Sequence, residues 1–266
     1  MRDTPDPSSS SAEQGRGFRK LVTVSLVLSA ISVALSALAL LFATGTLPLL
    51  GQASFERQAR AYILANPETI VQSVNTLQSR QAAAEESEGT AALTQRRAEV
   101  FEDPASPIGA NAHGDVTLVE FFDYNCPYCR KAAPILDDLE QADKGLRLVF
   151  KEFPILGAGS AFAARAALAS QKQGKYLAFH KAMMTYSGQI TESSAMEIAT
   201  SVGLDVERLK KDMNEPAIDD QIKRNLALAE ALHISGTPTF IAGKEIVRSL
   251  VDTDTMKRVI ATARKG

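Results

Sequence analysis

At 266 residues the chain is longer than one average domain and too short for two full cores, so one core with appendages is the expected organisation. Its 29 basic and 31 acidic residues are spread along the chain and leave a net charge of −2, which excludes the concentrated basic surface of a nucleic-acid binder. The two cysteines, Cys126 and Cys129, are the only ones in the chain, which excludes a framework of structural disulfides and leaves the sulfur for chemistry.

Residues 1–17 are rich in Ser, Pro, Asp and Gly and include the run Ser8 to Ser11. Too few apolar groups are present to offset the entropy of ordering, so a disordered tail is predicted, ending at residue 20. From Leu21 to Ala43 no charged residue occurs. A helix of that length, at about 1.5 Å per residue, spans the roughly 30 Å hydrocarbon core of a bilayer. Arg16, Arg19 and Lys20 precede it and the next basic residue is Arg57, so the positive-inside bias puts the tail in the cytoplasm and the remainder across the membrane. The alternative is a cleaved signal peptide, because Ala37-Leu38-Ala39 has the small-x-small form of a cleavage site. Ser25, Ser29, Ser32, Ser36, Ala39 and Ala43 share one helical face, which permits close helix approach in lipid.

Residues 53–101 read as an amphipathic helical extension. Phe55, Ala59, Tyr62 and Ile63 lie on a first segment, and Ile70, Val74, Leu77, Gln81 and Ala84 form a short coiled-coil-like seam on a second. Asn66-Pro67 is the break, read as a cap followed by proline at the first helical position. The seam is too brief to stand alone. It needs a partner, either the downstream domain or, the favoured reading, the same stripe in other copies of the chain. Glu85 to Gly89 is read as interrupting the pattern, and Asp103 to Pro107 as a linker.

In the domain 103–266, Val116–Phe122 is a near-continuous apolar run of the kind found in a strand covered on both faces. A helix over 127–142, a strand over 146–153, four or five helices between Ser160 and His233, strands at Thr239–Ile241 and Ile246–Val247 and a helix over Thr253–Arg264 follow. This order predicts an α/β fold, a sheet covered by helices with a helical insertion.

Cys126-Pro127-Tyr128-Cys129 follows the first strand at once. A thiolate, not a thiol, attacks a disulfide. With Cys126 capping a helix and Pro127 at its first position, free backbone N–H groups and the positive helix end favour the thiolate. Cys129, one turn on, is placed to attack a mixed disulfide at Cys126 and release the substrate. A zinc site would need two further ligands, and His113, His180 and His233 are scattered without ligand spacing. No metal is therefore assigned, and the three histidines are read as surface or cap residues without a role.

Phe121 to Cys129, read as FFDYNCPYC, together with Gly236-Thr237-Pro238-Thr239, resembles the DsbA-like branch of the thioredoxin superfamily over residues 103–266. Residues 55–100 resemble the N-terminal extension of ScsC-type periplasmic proteins. The resemblance implies a thioredoxin-like fold, a cis Pro238, and a Thr237-Pro238 segment that faces the cysteines and pairs with an extended substrate. It also implies a homo-oligomeric disulfide isomerase or reductase, which the uncharged helix over residues 21–43 would hold at the inner membrane with its domain in the periplasm. Unfolded or misfolded proteins would be its substrates, a DsbD-like or DsbB-like membrane protein would recycle it, and no cofactor beyond the Cys126–Cys129 disulfide is called for. Glu120, in the first strand, stands where such proteins carry a buried acid, whose raised pKa lets it exchange a proton with Cys129. Lys151 is a candidate partner for Glu120. The alternatives are a dithiol oxidase of DsbA type and a copper-handling thiol protein, since soft sulfur selects Cu(I).

Overall fold

The computed structural model describes residues 10–43 and 52–266, with side chains over 22–41 and 55–266. The chain divides into two compact units at Leu77–Gln78. In the first, α1 (Ser10–Ala43) contains the uncharged run. Its stretch Val22–Leu41 has 20 residues and a mean hydropathy of 2.4, long and apolar enough to cross a membrane. The helix begins at Ser10, which corrects the disorder predicted through residue 17: extending an established helix costs far less than starting one, and Gly15 and Gly17 do not break it. Residues 1–9 of the predicted tail lie outside the described residues.

Helix α2 (Gln52–Ala65) is followed by α3 (Glu68–Gln95), with the break at Asn66-Pro67. Asn66 does not cap α3 as predicted. Its side-chain amide donates back to the Tyr62 carbonyl at 2.9 Å, closing α2 instead. Phe55, Tyr62, Ile70, Val74 and Leu77 are all exposed.

The second unit is built on a four-stranded sheet. β1 (Val116–Phe122) lies between β2 (Leu146–Glu152), to which it is parallel, and β3 (Thr239–Ala242), to which it is antiparallel; β4 (Glu245–Val247) forms the outer edge beside β3. Side chains alternate across a strand, so Leu118 and Phe122 enter one core with Leu148, Phe150 and Phe240, while Val119 and Phe121 enter another with Val149 and Ile241. Both faces are covered, which is why β1 carries a near-continuous apolar run, broken only by Thr117 and Glu120. The larger core is roofed by α5 (Pro127–Ala142), α6 (Ala158–Ser170), α7 (Tyr176–Thr185), α8 (Glu192–Ser201), α9 (Val206–Asp212) and α11 (Thr253–Lys265). The smaller one is closed by α4 (Arg97–Phe101), the end of α3 through Leu93, and the end of α10 (Pro216–Ala231) through Leu228.

The interruption expected at residues 85–89 is absent, because α3 runs through it. Gly89 is required there for packing: a Cβ would stand 2.8 Å from the Leu232 carbonyl oxygen.

Lys151 does not pair with Glu120. In the β1–β2 register Glu120 faces Phe150, whereas Lys151 faces Phe121, so strand alternation puts the two side chains on opposite faces of the sheet. The Lys151 ammonium, 1% exposed, donates instead to the Glu99 carbonyl at 2.7 Å and to Asp103 Oδ2 at 3.0 Å. Burial lowers its pKa, opposed by the Asp103 charge. Lys151 thereby ties α4 and the 103–107 segment to the sheet. Removing one partner of a buried pair is costly, so Lys151→Ala is expected to lower the unfolding free energy by about 3–5 kcal/mol in a urea titration, with Lys151→Met losing less. A loss under about 1 kcal/mol for the alanine variant would show that the pair contributes no more than a surface ion pair.

Candidate active site

The site begins where β1 ends. Asp123 is buried and its carboxylate collects donors from three segments. Oδ1 accepts from the Asn125 backbone N–H and the Ser160 hydroxyl, each at 2.7 Å; Oδ2 accepts from the Ile155 and Leu156 N–H groups at 2.9 and 3.0 Å. The Asp123 carbonyl accepts the Cys126 N–H at 3.1 Å, folding the chain into a turn. Cys126 is the N-cap of α5, with extended backbone angles (φ −80°, ψ 118°), and Pro127 takes the first helical turn. The open N–H groups of that turn therefore stand next to the Cys126 sulfur.

Two further clamps hold the turn. The Asn125 side chain both accepts from the Ile190 N–H (2.7 Å) and donates to the Ile190 carbonyl (3.0 Å). Arg130 donates from Nε to the Tyr124 carbonyl at 2.8 Å and from its guanidinium to the carbonyls of Tyr186 and Gly188 at 3.0 and 2.7 Å.

Cys126 and Cys129 are both free thiols, 4% and 0% exposed. The Thr237–Pro238 peptide bond is cis, and the Cys126 thiol donates to the Thr237 carbonyl at 3.2 Å. The fold thus brings the Cys126–Cys129 turn against the Thr237-Pro238 loop, 111 residues along the chain from Cys126 to Thr237. Beside them Gly236 is open, since a Cβ there would meet nothing within 4 Å. Tyr128, between the cysteines, is 56% exposed, with the Lys131 ammonium 5.6 Å from its ring centre.

Glu120 lies on the cysteine side of the sheet, buried, with Oε1 lacking any hydrogen-bond partner. Burial, and then the negative charge at Cys126, raise its pKa to about 8. Cys129 is pushed far above the usual thiol range by burial and by the Glu120 charge.

Sequence reasoning passed over a second buried group. Glu152 Oε1 accepts from the Tyr124 and Tyr176 hydroxyls at 3.0 and 2.9 Å, and Tyr124 also bonds His180 Nδ1 at 3.1 Å. His180, expected at the surface or at a cap, is buried against the rings of Phe122, Phe150 and Tyr176, and burial lowers its pKa to about 3. One signal was available: Glu152 stands in the β2 strand at the same parity as Phe150, so it shares a face with Glu120.

Among known families, that of the DSBA-like thioredoxin domain matches residues 117–261, and that of the copper resistance protein ScsC N-terminal domain matches residues 52–84. A thioredoxin-like oxidoreductase from Silicibacter pomeroyi is similar in structure with 48% identity and a TM-score of 0.63, covering 64% of this chain and 98% of that one. The catalytic domain of Proteus mirabilis ScsC gives 26% identity and a TM-score of 0.61, covering 66% of this chain and 99% of its own. Among curated relatives, the Na(+)/H(+) antiporter NhaA of Herminiimonas arsenicoxydans is 32% identical over 63% of this chain, and the chain spans 28% of that protein's length. With the thioredoxin fold, the cysteine turn and the cis proline loop in place, the chain belongs to the DsbA-like family of thioredoxin-fold thiol–disulfide oxidoreductases, preceded by an ScsC-type N-terminal domain.

Proposed function

We propose that the chain exchanges disulfides with protein substrates through Cys126 and Cys129, on the periplasmic side of a membrane crossed by α1. The observation that carries this reading is the Cys126 sulfur at the start of α5, against the Thr237 carbonyl. The Cys126 thiolate attacks a substrate disulfide: a bond forms between Cys126 and one substrate sulfur, the substrate S–S bond breaks, and the second sulfur leaves as thiolate. In reduction, Cys129 gives up its proton and attacks Cys126. The Cys126–Cys129 disulfide forms, the substrate sulfur departs, and two electrons have passed to the substrate. In isomerisation the freed substrate thiolate attacks another substrate disulfide, and a thiolate released there attacks the mixed disulfide, forming a new substrate disulfide and freeing Cys126, so no net electrons move.

Glu120 is the proton acceptor for Cys129. Forming the mixed disulfide removes the Cys126 charge that helps hold the carboxyl proton on, so Glu120 becomes ready to ionise at the step when Cys129 needs a base. Gly236 offers open space beside the Thr237-Pro238 loop to an extended substrate segment. Isomerase or reductase action is favoured over oxidase action by the ScsC-type N-terminal match and by the exposed apolar residues of residues 55–77, which fit association with further copies of the chain. A DsbD-like membrane reductant would then recycle the pair; an oxidase would need a DsbB-like membrane oxidant.

Cys129→Ser is expected to accumulate mixed disulfides with disulfide-bonded insulin and scrambled substrates, and Cys126→Ser to abolish both trapping and turnover; trapping that survives the loss of Cys126 would refute the assignment. The Cys126–Cys129 potential against glutathione tests direction, because a strongly oxidising couple contradicts the isomerase reading. Ile70→Glu with Val74→Glu should lower the solution molar mass to that of a single chain.

Glu120→Gln is expected to prolong the mixed disulfide by on the order of a hundredfold while leaving alkylation of Cys126 little changed. The same variant has a signature in stability. A carboxyl held near 8 when folded and near 4.5 when unfolded keeps its proton only in the folded state across that interval, so stability falls as pH rises from about 4.5 to about 8. Glu120→Gln removes this slope, and its stability relative to the parent should climb over that window and level off above it. A parallel pair of pH–stability curves would show that Glu120 titrates normally.

A further inference from the structure

On the face of the sheet opposite the cysteines, the second unit carries a cavity of about 300 Å³ between α4, the 103–107 segment and α10. Three buried side chains, Lys151, Asn225 and Leu228, line it, together with the exposed Glu102 and Arg224.

Two of the buried polar groups have capacity left over. A lysine ammonium has three N–H donors, and that of Lys151 gives one to the Glu99 carbonyl at 2.7 Å and one to Asp103 Oδ2 at 3.0 Å. The remaining donor has no partner among the described residues. Asn225 spends its Nδ2 on the Glu152 carbonyl at 3.0 Å, and its Oδ1 accepts nothing from the described residues. Buried polar groups are normally satisfied, so an open donor and an open acceptor in the lining of one cavity mark a place for a polar ligand.

The exposed charges repeat that pairing. Arg224 donates to the Gln221 side chain at 2.8 Å and, like Glu102, has no ion-pair partner among the described residues. The neighbouring acids are taken: Asp103 accepts from Lys151, Ser106 and Gln221, and Glu99 pairs with Arg96. Lys151, whose pKa burial lowers, also feels the Arg224 charge, so an anion beside both cations relieves a repulsion. The lining therefore offers two cations to a carboxylate, a carboxylate and an amide oxygen to an ammonium, and Ala98, Pro104 and Leu228 to an apolar chain. Its volume is at the low end for ligand cavities, which limits the occupant to a small molecule.

We propose that this cavity binds a free α-amino acid with an apolar side chain, its carboxylate on Lys151 and Arg224 and its ammonium on Asn225 and Glu102. Seated there, the ligand bridges α4 and α10 over the smaller core, on the side of the sheet away from Cys126. Because it binds the folded unit, it adds to stability.

The test titrates the full chain, in detergent, with leucine, with isocaproate, which lacks the ammonium, and with isoamylamine, which lacks the carboxylate. Binding is followed by calorimetry and by the melting temperature. Leucine is expected to bind saturably, to raise the melting temperature, and to bind on the order of tenfold more tightly than either fragment. Arg224→Gln should weaken leucine and isocaproate and leave isoamylamine unchanged, whereas Glu102→Gln should weaken leucine and isoamylamine and spare isocaproate. Both side chains are exposed, and a melting temperature without ligand equal to the parent's verifies that each variant is folded. Absence of saturable leucine binding overturns the proposal. So does binding that both substitutions leave unchanged, or that either fragment matches.

Discussion

The carboxylate of Asp123 is the constraint on which the site depends. A single buried side chain receives the Asn125 N–H, the Ser160 hydroxyl and the two consecutive N–H groups of Ile155 and Leu156. It therefore joins the end of β1, the loop after β2 and the start of α6 at one point. A carboxylate satisfied by several donors is a strong fixed junction, because each donor would otherwise have to be left unpaired or returned to water. The turn that carries Cys126 hangs from this junction through the Asp123 carbonyl. Asn125 and Arg130 then pin its two sides to the loop before α8. The sulfur is thus held at the mouth of α5 by these hydrogen bonds together with its burial in the larger core.

Charge is distributed across the sheet according to strand parity. Glu120 and Glu152 point to the face that bears the cysteines, and Lys151 to the opposite one. On the cysteine side an acid with no cation is kept dry, which is the arrangement that raises a carboxyl pKa and makes a proton available at neutral pH. On the other side the same burial is offset by a cation paired with Asp103, and the result is structural attachment. One residue of register separates a buried, unpartnered acid from a brace.

The segment before β1 has two uses. Up to Leu77 its large apolar residues are exposed; from Gln78 onward α3 and α4 supply Leu93, Val100 and Phe101 to the smaller core. Helix α3 thus contributes to the thioredoxin-like unit itself, and Gly89 is the point where it comes against the Leu232 carbonyl.

The amino-acid sequence by itself determined the strand Val116–Phe122, the helix Pro127–Ala142 and the cysteine pair at their junction, because those features rest on local signals: an apolar run, a proline at the first helical position, and sulfur spaced by one turn. Glu120 was legible from its place within an apolar strand together with the family resemblance. Tertiary structure alone decided which partners the buried polar groups take. Lys151 met Asp103 because of the register of β1 with β2, His180 entered an aromatic core from a helix that looked like any other, and Asp123 drew donors from 32 to 37 residues away. Helix and strand formation is written in neighbours a few positions apart, whereas the pairing of a buried charge depends on which distant segments the fold sets beside it.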